Sequence, residues 1–265
     1  MSAPPLLLLL EVLPCLLLGV LLEWRWPKLS RQLSPPLIRH GVPLSLLGML
    51  LRSGLERSML WAGLLALLGI GGGLALLRWL PGLRQLLPLA TLRLGAVAGN
   101  TAYFGFPVVM ALLPPAAMGA AVAYDLAATL LIWGPGPALL TGERLQGRPL
   151  LRALAHSPAL GPLLRQPASE RVNPWRLWPA LTIKLLLFPA AMLALSLVTP
   201  LPPLPPLARQ AVVLQAAAPT AVAVLLLSEA SPNGSDGSSA RATALVLWST
   251  AIALGSVPLW RLLLG

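Results

Sequence analysis

The sequence is poor in cysteine and in charge. Its single cysteine, Cys15, excludes an internal disulfide and any cysteine-based metal site. Only 10% of the 265 residues are charged and 8 are acidic, whereas 57% are hydrophobic. So few polar side chains cannot cover the surface of a water-soluble protein of this size, and the mean hydropathy is +0.79. A soluble enzyme is therefore excluded, and much of the surface is expected to face lipid.

The net charge of +11 raises the question of a nucleic-acid partner. No DNA-binding module is visible, and the arginines of the central polar segment are spaced out without interleaved aromatic residues. Paired carboxylates, a Ser/His/Asp arrangement and a cluster of metal ligands are also missing from the sequence pattern. We therefore expect no nucleic-acid partner, no enzymatic activity, no cofactor and no metal.

Long apolar runs dominate what is present. A membrane helix needs about 20 mostly apolar residues, and eight runs meet this requirement approximately. They predict an all-α polytopic membrane protein with about eight transmembrane helices, five before the polar segment 142–176 and three after it. The predicted spans are residues 4–22, 33–51, 59–80, 84–113, 116–141, 177–199, 209–229 and 242–264.

The basic residues predict the orientation of these spans. The first run is not expected to be a cleaved signal peptide, because no basic residue precedes it and Glu11 interrupts it. Its basic residues follow it, which predicts an N-terminus outside the cell, and eight spans then place both termini outside. With this topology most of the 19 basic residues lie inside. Outside lie Arg52, Arg57, Arg209 and Arg261, while Arg93 and Lys184 lie within spans.

Two of the spans contain helix breakers. The span 84–113 is long and contains the stretch Asn100–Pro107, and the span 209–229 contains Pro219 with Gln215 beside it. Proline lacks a backbone N–H and clashes with the carbonyl four residues earlier. We therefore expect one break at Pro107 and another at Pro219. Interrupted helices at corresponding places in two halves of a chain indicate a transporter site at the membrane midplane.

Ionisable side chains within the spans are costly unless they are paired or face water. Asp125 lies in the fifth span and Lys184 in the sixth. We expect both to face the same interior and to pair across the two halves, with Asp125 as a proton carrier. The alternative for Lys184 is that its stem extends toward the lipid headgroups.

The run Gly99–Pro107 resembles the Gly-Asn-Thr-x-Phe-x-Gly-x-Pro pattern of the auxin efflux carrier family of permeases, within the bile acid/sodium symporter-like superfamily. Shorter stretches follow in the order that the family shows. They are Pro43–Gly48, Tyr124–Asp125, His156–Pro158, Lys184–Pro189, Ala218–Ala221 and Trp248–Leu259.

The resemblance implies a secondary transporter built of two inverted five-helix repeats, in which the fourth helix of each is broken and crosses its mate at the site for an organic anion. Residues 1–141 would form the first repeat with five spans. Residues 142–176 would be a cytoplasmic Arg-rich loop with the remnant of a helix at 150–164, and residues 177–265 a second repeat with three spans. The chain is thus about two spans short of the family norm of ten.

The resemblance also implies a set of substrate-binding residues and a function. We expect a permease of the plasma (inner) membrane that moves a small organic anion by alternating access. The two missing spans leave alternatives: a homodimer or a partner subunit supplies the frame, or the chain is a non-transporting subunit that serves assembly or regulation. The predicted substrate-binding residues are Asn100, Thr101, Tyr103, Gly105, Pro107, Gln215, Pro219 and Thr220.

Overall fold

The structure is a computed structural model that describes residues 14, 17–22, 24–26, 44, 48, 56–141, 172–198, 202–230 and 238–265. The regular structure within these ranges is helical, apart from one antiparallel bridge between Gly99 and Thr220. This confirms the predicted all-α class. The predicted spans 4–22 and 33–51 and the segment 142–171 lie largely or wholly outside the described residues.

Four stretches of helix are long and apolar enough to cross a membrane. The first, α1, is Arg57–Trp79, and another stretch contains a 3₁₀ turn, Pro115–Ala117, followed by α5, Met118–Trp133. The third joins α7, Trp178–Thr182, to α8, Phe188–Val198, through a π-helical segment, and the fourth is α11, Ser238–Leu263. Their positions confirm a polytopic membrane protein.

The prediction of one continuous helix over the span 116–141 is wrong at its C-terminal end. Helix α5 stops at Trp133, and a separate short helix α6 covers Pro135–Thr141. Pro135 explains the division, since it cannot supply the N–H that would continue α5 and it disfavours a helical conformation at Gly134.

Two interrupted helices complete the described bundle. In the first half, α2 (Pro81–Leu86) leads to α3 (Ala90–Gly95), a break, a π-helical segment (Thr101–Gly105) and α4 (Phe106–Leu112). In the second half, α9 (Pro206–Ala217) is separated by a break from α10 (Val222–Ala230). Each interrupted helix lies in the chain between two long ones, and the two breaks pair antiparallel. This is the arrangement that inverted repeats with crossing broken helices require.

The predicted break at Pro219 is confirmed, whereas the first break lies before Pro107 rather than at it. Pro107 is the second residue of α4 and follows a π turn in which the carbonyl of Asn100 accepts from the N–H of Gly105, at 3.0 Å. A π turn takes an N–H from five residues ahead, so it lets the chain remain helical where proline cannot donate. Pro189 follows the π-helical segment Ile183–Leu187 in the same way.

Helix α9 lies at the centre of the described bundle. Every residue from Ala211 to Ala217 is buried, and the helix contacts α5, α8 and α11. Three of these seven residues are small, namely Ala211, Ala216 and Ala217, and Ala218 follows them at the break. Small side chains let neighbouring backbones approach closely in membrane helices. The break that ends α9 is therefore held deep inside the bundle.

A tryptophan on α11 satisfies a carbonyl that proline leaves without a donor. Leu185 lies four residues before Pro189, and its carbonyl accepts a hydrogen bond from Nε1 of the buried Trp260, at 2.9 Å. We expect Trp260→Phe to lower the free energy of unfolding by roughly 1–3 kcal/mol, the cost of leaving a buried polar group unpaired. Thermal unfolding in detergent measures it. Trp248→Phe on the same helix is the control because Trp248 is 43% exposed, and equal losses for both variants would contradict the account.

Candidate functional site

The two breaks meet and satisfy each other's backbone groups. We call the residues 96–100 and 218–221 the crossing. The N–H of Asn100 donates to the carbonyl of Pro219 at 2.7 Å, and the N–H of Ala221 donates to the carbonyl of Ala98 at 3.0 Å. An unpaired backbone group costs several kcal/mol in hydrocarbon, so the pairing lets two helices be interrupted in the interior of a membrane protein.

The crossing leaves little room for a side chain at Gly99. A Cβ there would lie 3.2 Å from Nζ of Lys184 and 3.3 Å from the carbonyl oxygen of Gln215. Both distances are shorter than ordinary van der Waals contact, so glycine permits this close approach. The sequence pattern predicted that Asn100 and Pro107 shape this region, and it missed Gly99 as the residue that lets the two breaks touch.

Two hydroxyl groups fasten the second break to its surroundings. Oγ1 of the fully buried Thr220 donates to the carbonyl of Gly95, the last residue of α3, at 2.9 Å. The N–H of Thr220 donates to Oγ of Ser249 on α11, at 3.0 Å. Ser249 was not among the predicted site residues. Its signal in the sequence was a hydroxyl group within an apolar span, which does not identify a partner.

Asp125 lies beside the crossing. The hydroxyl of Thr101 donates to Oδ1 of Asp125 at 2.5 Å, and both side chains are buried. Thr101 begins the π-helical segment directly after the crossing. The hydrogen bond therefore joins the carboxylate of α5 to the first residue of the second half of the broken helix.

Lys184 also reaches the crossing. Its side chain is fully buried, so it does not extend toward the headgroups, and Nζ donates to the carbonyl of Ala216 at 2.7 Å. No ion pair joins Lys184 to Asp125 within the described residues. Each has a different partner, because the end of α9 offers Lys184 a free carbonyl and Thr101 offers Asp125 a hydroxyl. The expected direct pair is thus replaced by two separate contacts at one crossing.

Gln215 carries an unused acceptor in this interior. The residue is fully buried, and its Nε2 donates to the carbonyl of Ala121, one turn before Asp125 on α5, at 3.4 Å. Its Oε1 is buried and has no hydrogen-bond partner among the described residues. The amide packs against Gly105, where a Cβ would overlap it. The buried amide therefore has an oxygen free to accept a proton donor.

Some predicted residues lie away from the crossing. Tyr103 is 56% exposed and faces outward, and Pro107 is half-buried farther along α4. Nη1 of Arg93 donates to the carbonyls of Leu87 and Pro88, at 2.8 Å each. The guanidinium group therefore binds the loop before α3 rather than the crossing. The structure gathers the other predicted residues at or next to the crossing: Asn100, Thr101, Gly105, Gln215, Pro219 and Thr220, together with Asp125 and Lys184.

Asn100 is the polar side chain at the crossing with the most freedom. It is partly exposed, and its amide makes no hydrogen bond to the other described residues. Among the described residues, no group of three His, Cys, Asp or Glu side chains could hold a metal ion. Among the described residues, the polar side chains at or next to the crossing are thus two amides, hydroxyls, one carboxylate and one amine.

The C-terminal part of the chain, less than half of its length, is similar to a known family. The model of the sodium bile acid symporter family matches residues 164–265, which include α7 to α11 and hence Lys184, Gln215 and the second break. No curated protein and no solved structure matches the chain. The family match supports a membrane transporter of the bile acid/sodium symporter type and the corresponding superfamily. The resemblance to the auxin efflux carrier family stays a prediction.

Proposed function

We propose that this chain is a permease of the plasma membrane that moves a small organic anion through the crossing. The observation that carries the proposal is the antiparallel pairing of two interrupted helices at Gly99 and Thr220. Crossing broken helices are a common design for substrate sites in secondary transporters. The similarity of residues 164–265 to the sodium bile acid symporter family supports it.

The ends of the broken helices suit a carboxylate. The segment 101–112 and helix α10 both begin at the crossing, at Thr101 and Val222. The first N–H groups of a helix have no partner within the helix, and the helix dipole is positive at that end. The free amide of Asn100 adds two N–H donors beside them. An anion at the crossing would therefore meet donors from both halves of the chain.

Alternating access would come from movement of the interrupted helices against the rest of the bundle. The buried partners of the crossing, Asp125 on α5 and Lys184 next to α8, would accompany or restrain that movement. With the topology inferred from the basic residues, both termini lie outside the cell. A second copy or another subunit is the expected source of the frame that the two missing spans would form.

Transport is tested with the purified chain in liposomes. Uptake and release of a panel of labelled carboxylates would be measured, after a thermal-shift screen has selected ligands that raise the unfolding temperature. We expect saturable flux of at least one carboxylate. No substrate-dependent flux in either direction would refute the transport function.

Asn100→Ala tests the site directly. We expect it to lower uptake by roughly tenfold or more, because a hydrogen bond to a charged group contributes about 1.5–3 kcal/mol and each 1.4 kcal/mol is tenfold. Thermal stability should change little, because the amide has no partner among the described residues. Uptake over a range of substrate concentrations measures the effect. Met110→Leu on the outward face of α4 is the control, and equal uptake by the two variants would remove Asn100 from the site.

The alternative is a non-transporting membrane subunit, and the shortfall of two spans in the hydropathy pattern favours it. It predicts a partner that co-purifies in a stoichiometric amount. It also predicts that Asn100→Ala leaves the cellular phenotype intact, because assembly would not need a substrate site.

A further inference from the structure

Two helices end at the crossing, and helix ends of this kind are cation sites. Helix α3 ends at Gly95 and α9 ends at Ala217. The last carbonyls of a helix have no N–H partner within it, and the dipole is negative there. In transporters with broken helices such carbonyls coordinate the coupling Na⁺. The family that matches residues 164–265 is named for sodium. The groups that contact these helix ends therefore bear on whether this chain binds a coupling cation there.

Groups of the chain itself occupy both ends. The carbonyl of Gly95 accepts from the hydroxyl of Thr220, at 2.9 Å, and the carbonyl of Ala216 accepts from Nζ of Lys184, at 2.7 Å. The amine also lies 5.2 Å from the centroid of the Phe188 ring, a distance at which a cation is attracted to the ring face. Lys184 therefore places a cationic group where an ion bound to the end of α9 would lie.

The amine packs closely against the backbone of the first break. A Cβ on Gly99 would lie only 3.2 Å from Nζ. The side chain is fully buried and forms no ion pair with a carboxylate in the described part of the chain. A buried charge without a carboxylate partner is costly, and the carbonyl at the negative end of α9 and the ring of Phe188 are what stabilise it here.

We propose that the ammonium group of Lys184 is a tethered cation that replaces a coupling cation at the end of α9, so that transport through the crossing requires no sodium. The statement about transport rests on the proposed function. The occupation of the helix end by Lys184 is independent of it and is tested separately.

The first test needs no substrate. Thermal unfolding of the purified full-length chain is followed in sodium chloride and in choline chloride at equal ionic strength. We expect equal unfolding temperatures for the wild type. Lys184→Met removes the ammonium, and its lowered unfolding temperature should rise by several degrees when sodium or lithium replaces choline. A sodium-specific rise in the wild type, or no sodium response in Lys184→Met, would overturn the proposal.

Two further variants keep this test decisive. Lys184→Gln retains an N–H donor for the carbonyl of Ala216 without the charge, and it should show a weaker sodium response. It replaces Lys184→Met if that variant does not fold. Ser196→Ala is the control for general destabilisation. Ser196 lies on α8, and the substitution removes a buried hydroxyl away from the crossing. It should lower the unfolding temperature without any sodium response, which separates the effect of the charge from general destabilisation.

The second test measures flux in liposomes. Wild-type uptake should have the same initial rate with sodium or choline outside, and Lys184→Met should lose uptake in choline. Uptake by the wild type only with a sodium gradient would overturn the proposal. If no carboxylate is transported under any condition, the proposed function fails, and the unfolding temperatures alone decide whether Lys184 occupies the cation position.

Discussion

Gly105→Ala is expected to abolish uptake and to destabilise the protein, whereas the same change at Gly71 is expected to stabilise it. A Cβ at position 105 would overlap Oε1 of Gln215 and lie 2.8 Å from its Cδ. Gln215 is fully buried, so its amide cannot swing into open space. Overpacking of a buried site costs roughly 1–3 kcal/mol, and here it would also displace the amide that donates to the carbonyl of Ala121, one turn before Asp125 on α5.

Gly71 is the matched control because it lies on α1, where a Cβ would meet no atom within 4 Å. Alanine is more favourable than glycine within a helix by roughly 0.5–1 kcal/mol. Thermal unfolding and uptake of the two variants measure the contrast. The double variant Gly105→Ala/Gln215→Ala should recover part of the stability, since it removes the overlapping amide. Equal behaviour of the two glycine variants would show that the contact between Gly105 and Gln215 is unimportant.

Asp125→Asn is expected to lower uptake by tenfold or more while the protein remains folded. Asparagine has nearly the same shape, and its oxygen can still accept the hydrogen bond from Thr101. The change removes the negative charge and the ability to carry a proton. Losing a charged partner costs roughly 1.5–3 kcal/mol where that partner is used, which is about tenfold or more in rate.

Uptake rate and its dependence on external pH are measured for Asp125→Asn and for Glu229→Gln. Glu229 is exposed on α10, so the same change of carboxylate to amide there should leave uptake unchanged. If Asp125→Asn keeps both the rate and the pH dependence of the wild type, Asp125 is not the proton carrier.

The long helices could be predicted from the sequence because length and hydropathy alone decide whether a segment can cross a bilayer. The spans predicted at 59–80 and 177–199 agree with the structure to within two residues at each end. The break at Pro219 was predictable for a similar reason, since a missing N–H acts locally on the helix that contains it.

The position of the first break was not predictable from local chemistry. Proline is the residue in this span that disfavours a helix most, yet a π turn before Pro107 keeps the helix continuous there. The chain instead opens around Gly99, where its backbone pairs with the second break.

The partner of Lys184 was unpredictable because the sequence does not show which carbonyls lose their donors. Attraction between opposite charges made Asp125 the natural expectation. The structure gives the amine the carbonyl of Ala216 and gives the carboxylate the hydroxyl of Thr101. Both groups lie beside the crossing, so the prediction that they face one interior agrees with the geometry although the direct pair does not form.

The pairing at the crossing also affects how the protein is made. The carbonyl of Gly95 accepts from a residue 125 positions later in the chain, and Ala98 pairs with Ala221. While the ribosome is still synthesising the second half, these backbone groups of the first half have no protein partner and must be hydrated or covered by insertion machinery. The first half therefore reaches its final structure only after the second has entered the membrane, and a variant that delays insertion of α9 should leave the whole chain open to proteolysis.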